Sequence, residues 1–255
     1  MAENHSMLPS MRLDGQLALV TGAGRGIGRG CALALAEAGA EVIAMSRSAA
    51  EIDAVAAEIV AKGGRARSML CDVTDRTALA AAFDRLERLD ILVNNAGAAV
   101  PSAFLDLTEE ALDAMVDLNV RAATLAAQAA ARLMSRQASG VIVNLSSTYG
   151  KVGRAGNSVY AATKHYIEGL TKSLALELAA SRVRVVAVGP TFIDTPMTHA
   201  RVMDPAYKAE VVARIPLGRI GEVRDVVGAV VFLASPAASL ITGTTILVDG
   251  GWTAQ

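Results

Sequence analysis

A tyrosine and a lysine four residues apart, Tyr160 and Lys164 in the run YAATK, are the groups of this chain best suited to moving a proton. On a helix that spacing puts both side chains on one face, one turn apart. A free tyrosine titrates near pH ~10, so acting as a base at neutral pH requires a drop of about 3 units, or ~4 kcal/mol. An ammonium group ~5 Å away at an effective dielectric of ~20 supplies roughly 3 kcal/mol of that. Such a pair is more often an ordinary helix-surface contact, and only its company changes the reading. Two serines, Ser146 and Ser147, end the apolar run VIVNLSS, where a hydroxyl can hydrogen-bond a substrate carbonyl. Farther upstream lie NNAG at 94–97 and Asn119 within a long helical stretch.

A second chemistry belongs to the glycines of LALVTGAGRGIGRG, residues 17–30. The spacing G-x-G-x-x-G fails here in both registers, at Ile27 and at Arg29. The chemical requirement is nevertheless met: glycines let a backbone approach a pyrophosphate, and the following helix offers free N–H groups and a positive dipole end. At the end of the next apolar run, EVIAMSRS places Ser46 and Arg47 where an acid selecting NAD would be sought. Arg47 can grip a 2′-phosphate in bidentate fashion, and Arg25 in the glycine turn adds a second positive charge. Glu51 and Asp53 lie close by and argue the other way. NADP is the expected cofactor, with NAD the alternative.

These residues need a scaffold, and the chain supplies one. Strands are expected at 17–21, 41–46, 66–71, 91–94, 141–145, 183–188 and 245–248. Helices are expected between them at 27–38, 49–62, 75–88, 108–135, 158–180 and 223–234. Alternating strands and long helices imply βαβ units, and nearly all-apolar strands imply a parallel sheet covered on both faces. The expected fold is α/β: a single-domain, Rossmann-like, doubly wound sheet of about seven strands, spanning 13–255 after a flexible arm at 1–12. Residues 191–218 carry Pro196, Pro205 and Pro216, with a short helix expected at 205–214. An excursion this long in a compact domain is expected to be a substrate lid.

Composition narrows the function. The chain has 255 residues, 53% apolar and 19% charged, with a net charge of −1. That balance offers no attraction to nucleic acid or an acidic membrane. Cys31 and Cys71 cannot make a disulfide framework, and no metal-ligand spacing occurs. No apolar run reaches the ~18 residues a membrane span requires, and the N-terminus lacks a secretory h-region, so a cytoplasmic protein is expected.

Taken together, the motifs resemble those of the short-chain dehydrogenase/reductase family along essentially the whole chain after the arm. TGAGRGIG fits the family pattern T-G-x-x-x-G-x-G through Gly22, Gly26 and Gly28, and NNAG, YAATK and CDVTD match its later motifs. RIPLGRIGEVRDV and ITGTTILVDGG match its C-terminal pattern, and Ser147 stands at the family's usual interval before Tyr160. The resemblance implies Tyr160 as acid/base, Lys164 as the group lowering its pKa and holding ribose hydroxyls, Ser147 orienting the carbonyl, and Asn119 holding a relay water. It also implies cofactor contacts from Gly22, Gly24, Arg25, Gly26, Ile27 and Gly28, and from Ser46 and Arg47. Further contacts are implied from Asp72 and Val73, from Asn95, Ala96 and Gly97, and from Pro190, Thr191, Ile193 and Thr195. One departure stands out: the family commonly has Pro-Gly after the sixth strand, and here Gly189-Pro190-Thr191 is expected to narrow that side of the pocket. A homotetramer is likewise implied.

The substrate is less legible. Ala98, Thr148, Tyr149, Arg154, Asn157 and His199 are the candidate pocket residues, and Arg154, Asn157 and His199 suit a sugar, sugar acid or polyol. Trp252 is placed near a pocket or a subunit contact. The leading expectation is a ketone/secondary-alcohol oxidoreductase using NADP(H). A 3-oxoacyl-(acyl-carrier-protein) reductase is the alternative, disfavoured by the lack of a basic patch beyond Arg201, Lys208 and Arg214. A non-catalytic nucleotide sensor would have an eroded tetrad, and this one is intact.

Overall fold

The computed structural model describes residue 7 and residues 9–255. Most of the expected arm therefore lies outside the described residues. Arg12 is already anchored, through Asp14 and the Glu37 carbonyl.

Seven strands form one all-parallel sheet in the order β3-β2-β1-β4-β5-β6-β7. They are β1 (Leu17–Thr21), β2 (Glu41–Ser46), β3 (Arg65–Leu70), β4 (Ile91–Asn94), β5 (Gly140–Leu145), β6 (Val183–Pro190) and β7 (Thr245–Val248). Strand residues alternate between two dry layers, as the period of two requires. Ala18, Val20, Val42 and Ala44 face the layer built by α1 (Gly26–Glu37), α2 (Ala49–Ala61) and α9 (Val223–Ala234). Leu19, Ile43, Met45 and Leu92 face α3 (Arg76–Asp84), α5 (Ala123–Gln137) and α6 (Ser158–Leu178). Gly30 lets α1 and α9 touch: a Cβ there would come within 2.2 Å of Val223 Cγ1. At the edge, β3 (RARSML) departs from the apolar pattern and is largely exposed, because it pairs on one side only.

Two features differ from the sequence expectation. The helix expected at 108–135 is α4 (Glu109–Val116) and α5 joined by a π-helical turn, Asp117–Ala122. The excursion at 191–218 holds two short helices, α7 (His199–Val202) and α8 (Pro205–Val212), rather than one. Its base is pinched by a bridge between Ile193 and Gly221, with Asp194 N–H donating to the Gly221 carbonyl at 2.9 Å and Gly221 N–H to the Phe192 carbonyl at 2.9 Å. The intervening residues thus form a loop closed at this neck and tied down farther along, where the Leu217 N–H donates to the Gly250 carbonyl at 3.0 Å and Val211 and Ile215 pack with Tyr149 and Trp252. Among the described residues, no helix is long and apolar enough to cross a membrane.

Candidate active site

The order of strands reverses between β1 and β4, and a cleft of about 520 Å³ opens beyond their carboxyl ends. A doubly wound sheet must bind ligands there, because the loops on either side of the reversal diverge.

The glycine turn forms one wall. Gly22 and Gly26 have φ of +65° and +56°, which side-chain-bearing residues rarely adopt. A Cβ on Gly28 would meet the Gly22 carbonyl oxygen at 2.2 Å, so the third matched glycine lets α1 start directly against the turn. Gly24 has its own reason, since a Cβ there would lie 2.5 Å from Glu51 Oε2. Asn95 staples the turn to β4 by donating from Nδ2 to the Thr21 carbonyl at 2.9 Å and the Gly22 carbonyl at 3.3 Å. No side chain caps the N-terminus of α1, and no acid stands in its first turn. Its leading N–H groups therefore face the cleft as donors for an anion.

Farther along, Ser46 and Arg47 line the cleft at the end of β2, with Asp72 and Val73 at the end of β3. The Thr74 N–H and hydroxyl, followed by the charge of Arg47, hold the Asp72 carboxyl below the usual range. Ala96, Gly97 and Ala98 line the β4 side, and Pro190, Thr191, Ile193 and Thr195 the β6 side. Thr191 carries a specific signal: its hydroxyl oxygen is buried and has no hydrogen-bond partner among the described residues. An orphaned buried hydroxyl is costly and points to a missing polar partner.

The proton-handling residues meet at the inner end. Tyr160, Lys164 and Ser147 all line the cleft, and the Ser147 hydroxyl accepts from the Tyr149 N–H at 3.2 Å. Lys164 is buried; its Nζ lies 5.7 Å from the centre of the Tyr160 ring and donates to the Leu145 carbonyl at 2.7 Å. Desolvation pushes the Tyr160 phenol up to about 12, opposed by the Ser147 hydroxyl. Desolvation also brings Lys164 down to about 8. Among the protein's own groups, burial therefore outweighs the lowering that the tyrosine–lysine spacing suggests. Asn119 is buried on the π turn: its Oδ1 accepts from the Ala98 N–H at 2.9 Å, and its Nδ2 donates to the Ala98 carbonyl at 2.8 Å and Thr163 Oγ1 at 3.1 Å. A π turn shifts the register of a helix and is a recurrent way of delivering one side chain inward.

The candidate substrate residues divide. Ala98 lines the main cleft. Arg154 and Asn157 line a second, shallower cavity of about 460 Å³ with Ser102, Arg201 and Tyr207. It adjoins the first along the chain, at residues 98–101 and 157–160. Thr148 and Tyr149 are buried beneath the rim, outside the cleft lining. Tyr149 packs edge-on to Tyr160, Phe192 and Trp252. Trp252 is accordingly buried within its own chain. His199 is exposed on α7 and pairs with Asp194 at 3.0 Å, next to Thr198 at the edge of the main cleft but outside the lining of both cavities. Arg154 stacks over Phe192 and Tyr207 at 5.4 and 5.8 Å and pairs with Glu210 on α8 at 3.2 Å.

Three cleft residues among those that escaped the sequence reading are Ser48, Thr74 and Leu118, while Glu51, weighed there against NADP, does line the cleft. Ser48 follows Arg47 at the strand end and was within reach of the argument. Leu118 had no signal, because only the π turn carries it into the cleft.

A family model described as enoyl-(acyl carrier protein) reductase matches residues 22–253. L-xylulose reductase of Bos taurus is 43% identical over 245 residues, covering 96% of this chain and 99% of that protein. A 3-oxoacyl-(acyl-carrier-protein) reductase of Synechocystis sp. is 41% identical over 245 residues, covering 94% and 97%. A gluconate 5-dehydrogenase from Burkholderia cenocepacia J2315, solved in complex with NADP and tartrate, superposes with a TM-score of 0.94 at 34% identity, covering 98% of this chain and 100% of that one.

Proposed function

The chain belongs to the short-chain dehydrogenase/reductase family, and on that premise we propose that it interconverts a small polyhydroxylated ketone and its secondary alcohol with NADP(H). The observation that carries the reading is the convergence of Ser147, Tyr160 and Lys164 at the inner end of the glycine-walled cleft.

The cleft suits a dinucleotide. The uncapped N-terminus of α1 accepts the pyrophosphate, and the orphaned Thr191 hydroxyl suits a polar group such as the nicotinamide carboxamide. Arg47 is exposed at the adenosine end, where a 2′-phosphate would lie, and Ser46 beside it adds no opposing charge. When bound, the cofactor supplies or accepts the hydride and, once oxidised, carries positive charge into the inner cleft. Ser147 donates a hydrogen bond to the substrate carbonyl and holds it against Tyr160. In reduction, the Tyr160 hydroxyl gives its proton to the carbonyl oxygen; in oxidation, the tyrosinate takes the proton from the alcohol. Lys164 stabilises that tyrosinate with its ammonium, and Asn119 orders the Ala98 backbone on the cleft wall.

The second cavity favours a polar substrate. Ser102, Arg154, Asn157, Arg201 and Tyr207 present hydroxyl, amide and guanidinium groups just beyond Ala98 and Tyr160. The excursion above them is a lid, hinged at Ile193–Gly221 and held down by the contacts of Arg154 with Tyr207 and Glu210. An acyl-carrier partner needs a basic rim, yet Arg214 and Arg219 are already paired with Glu210 and Asp225. The similarity to L-xylulose reductase and to a gluconate 5-dehydrogenase supports the polyhydroxylated class.

The test is a steady-state scan of keto-sugars, sugar acids, polyols and acetoacetyl thioesters with NADPH and NADH in parallel. Turnover of keto-sugars or polyols with NADPH supports the proposal. Turnover confined to the thioester would make the chain an acyl-thioester reductase instead.

A further inference from the structure

Glu168 is a buried carboxylate for which proton transfer has no use. It stands on α6 one turn beyond Lys164 and is 5% exposed. Its Oε1 accepts a hydrogen bond from Ser146 Oγ at 2.6 Å, and its Oε2 accepts one from Thr245 Oγ1 on β7 at 2.5 Å. Lys151 pairs with the same Oε2. A buried charge costs several kcal/mol unless donors meet its lone pairs, and here three donors converge.

The consequence for the site follows from chain order. Helix α6 grips the end of β5 at two successive residues, with Lys164 at the Leu145 carbonyl and Glu168 at the Ser146 hydroxyl. The next residue is Ser147, which lines the cleft together with Tyr160 and is held by the Tyr149 N–H at 3.2 Å. Gly150 brings the chain back over this contact, since a Cβ there would lie 2.5 Å from Ser146 Oγ and 3.1 Å from the Glu168 side chain. The two candidate serines thus have separate duties, Ser146 toward Glu168 and Ser147 toward the cleft that Tyr160 also lines.

We propose that Glu168 is a positioning residue for the reaction. Acting through Ser146, it fixes the end of β5 so that the Ser147 hydroxyl stays aligned with Tyr160. The proposal rests on the assignment of Ser147 and Tyr160 above. The competing role is a plain strap tying α6 to β7, and the two carboxylate oxygens separate the roles. Oε1 serves β5 through Ser146, whereas Oε2 serves β7 through Thr245 and takes the charge of Lys151.

The experiment compares Ser146→Ala, Thr245→Val, Glu168→Gln and Ser147→Ala for kcat, KM, NADPH affinity and Tm. Ser146→Ala is expected to lower kcat about tenfold, the order of loss that sub-ångström misplacement produces, with NADPH affinity and KM unchanged. Glu168→Gln, whose amide oxygen can still accept from Ser146 while its NH2 faces Lys151 and Thr245, should lower Tm more than kcat. Thr245→Val should lower Tm and leave kcat alone. Wild-type kcat in Ser146→Ala, or equal kcat losses in Ser146→Ala and Thr245→Val, would overturn the proposal, and neither outcome depends on Glu168→Gln folding. Ser147→Ala separates the two levels of the argument. If it keeps full turnover, the reading of the active site fails and the positioning role falls with it. If it loses turnover while Ser146→Ala does not, only the positioning role falls.

Discussion

Lys164 reaches from α6 to the Leu145 carbonyl at the end of β5 while its ammonium stays 5.7 Å from the centre of the Tyr160 ring. The same group thereby anchors the strand that presents Ser147 and supplies the charge beside the phenol. Its position is fixed by a backbone acceptor, so the charge cannot swing away from the site.

Replacing Tyr160 with Phe removes the proton donor and little else. Loss of a general acid costs about 10²–10⁴-fold in rate. Tyr160→Phe is therefore expected to lower kcat by that order while NADPH affinity, read by fluorescence titration, stays near wild type. Full turnover in this variant would remove Tyr160 from the acid/base role.

The two directions should respond oppositely to pH. Tyr160 must hold its proton to reduce and release it to oxidise. With the phenol pushed up to about 12 by desolvation, it is protonated through the neutral range. Reduction should be flat there, and oxidation should rise with pH by up to ~10-fold per unit until Lys164, brought down to about 8 by desolvation, begins to lose its ammonium. Lys164→Met should move the oxidation limb to higher pH, because the ammonium that favours the tyrosinate is gone. Paired pH–rate profiles of the two directions check this.

Cofactor choice should turn on Arg47. A carboxylate at that position repels a 2′-phosphate and accepts hydrogen bonds from ribose hydroxyls instead. Arg47→Glu is expected to shift the ratio of kcat/KM for NADPH over NADH toward NADH by about 10- to 100-fold, the worth of roughly 1.5–3 kcal/mol for a charge-assisted hydrogen bond. An unchanged ratio would sink the phosphate argument.

Asp225 gives a stability signature independent of catalysis. Its carboxylate accepts from Arg219 at 2.6 and 2.8 Å and from the Glu222 N–H at 2.7 Å, capping α9 just past the Ile193–Gly221 bridge. The Arg219 hydrogen bonds, and next the Glu222 N–H, hold its pKa down at about 2. A depressed carboxyl stabilises the fold above its unfolded pKa and loses that contribution as pH falls through its folded one. Asp225→Asn should lower Tm by several degrees near neutrality, in line with a lost cap worth ~0.5–2 kcal/mol. The Tm gap between variant and wild type should close as the pH falls from about 4 toward 2.

The sequence by itself determined the seven strands and the residues at their ends. Burial on both faces forces apolar runs, a local property that survives without knowledge of neighbours. It determined the Tyr160–Lys164 pair for the same reason, because helical spacing alone puts them on one face. It missed the edge character of β3, which depends on where a strand falls in the order rather than on its composition. Only the tertiary structure decided matters that join distant segments. The π turn at Asp117–Ala122 aims Asn119, and the bridge of Ile193 to Gly221 turns a proline-rich excursion into a necked loop. Tyr149 and Trp252 are drawn into one ring cluster beneath the cleft, while His199 is left outside it. Glu168 was an unremarked polar residue in a helix until β5, β7 and Lys151 closed around it. A residue's type and spacing reveal what chemistry it can do; only the fold determines which groups it meets.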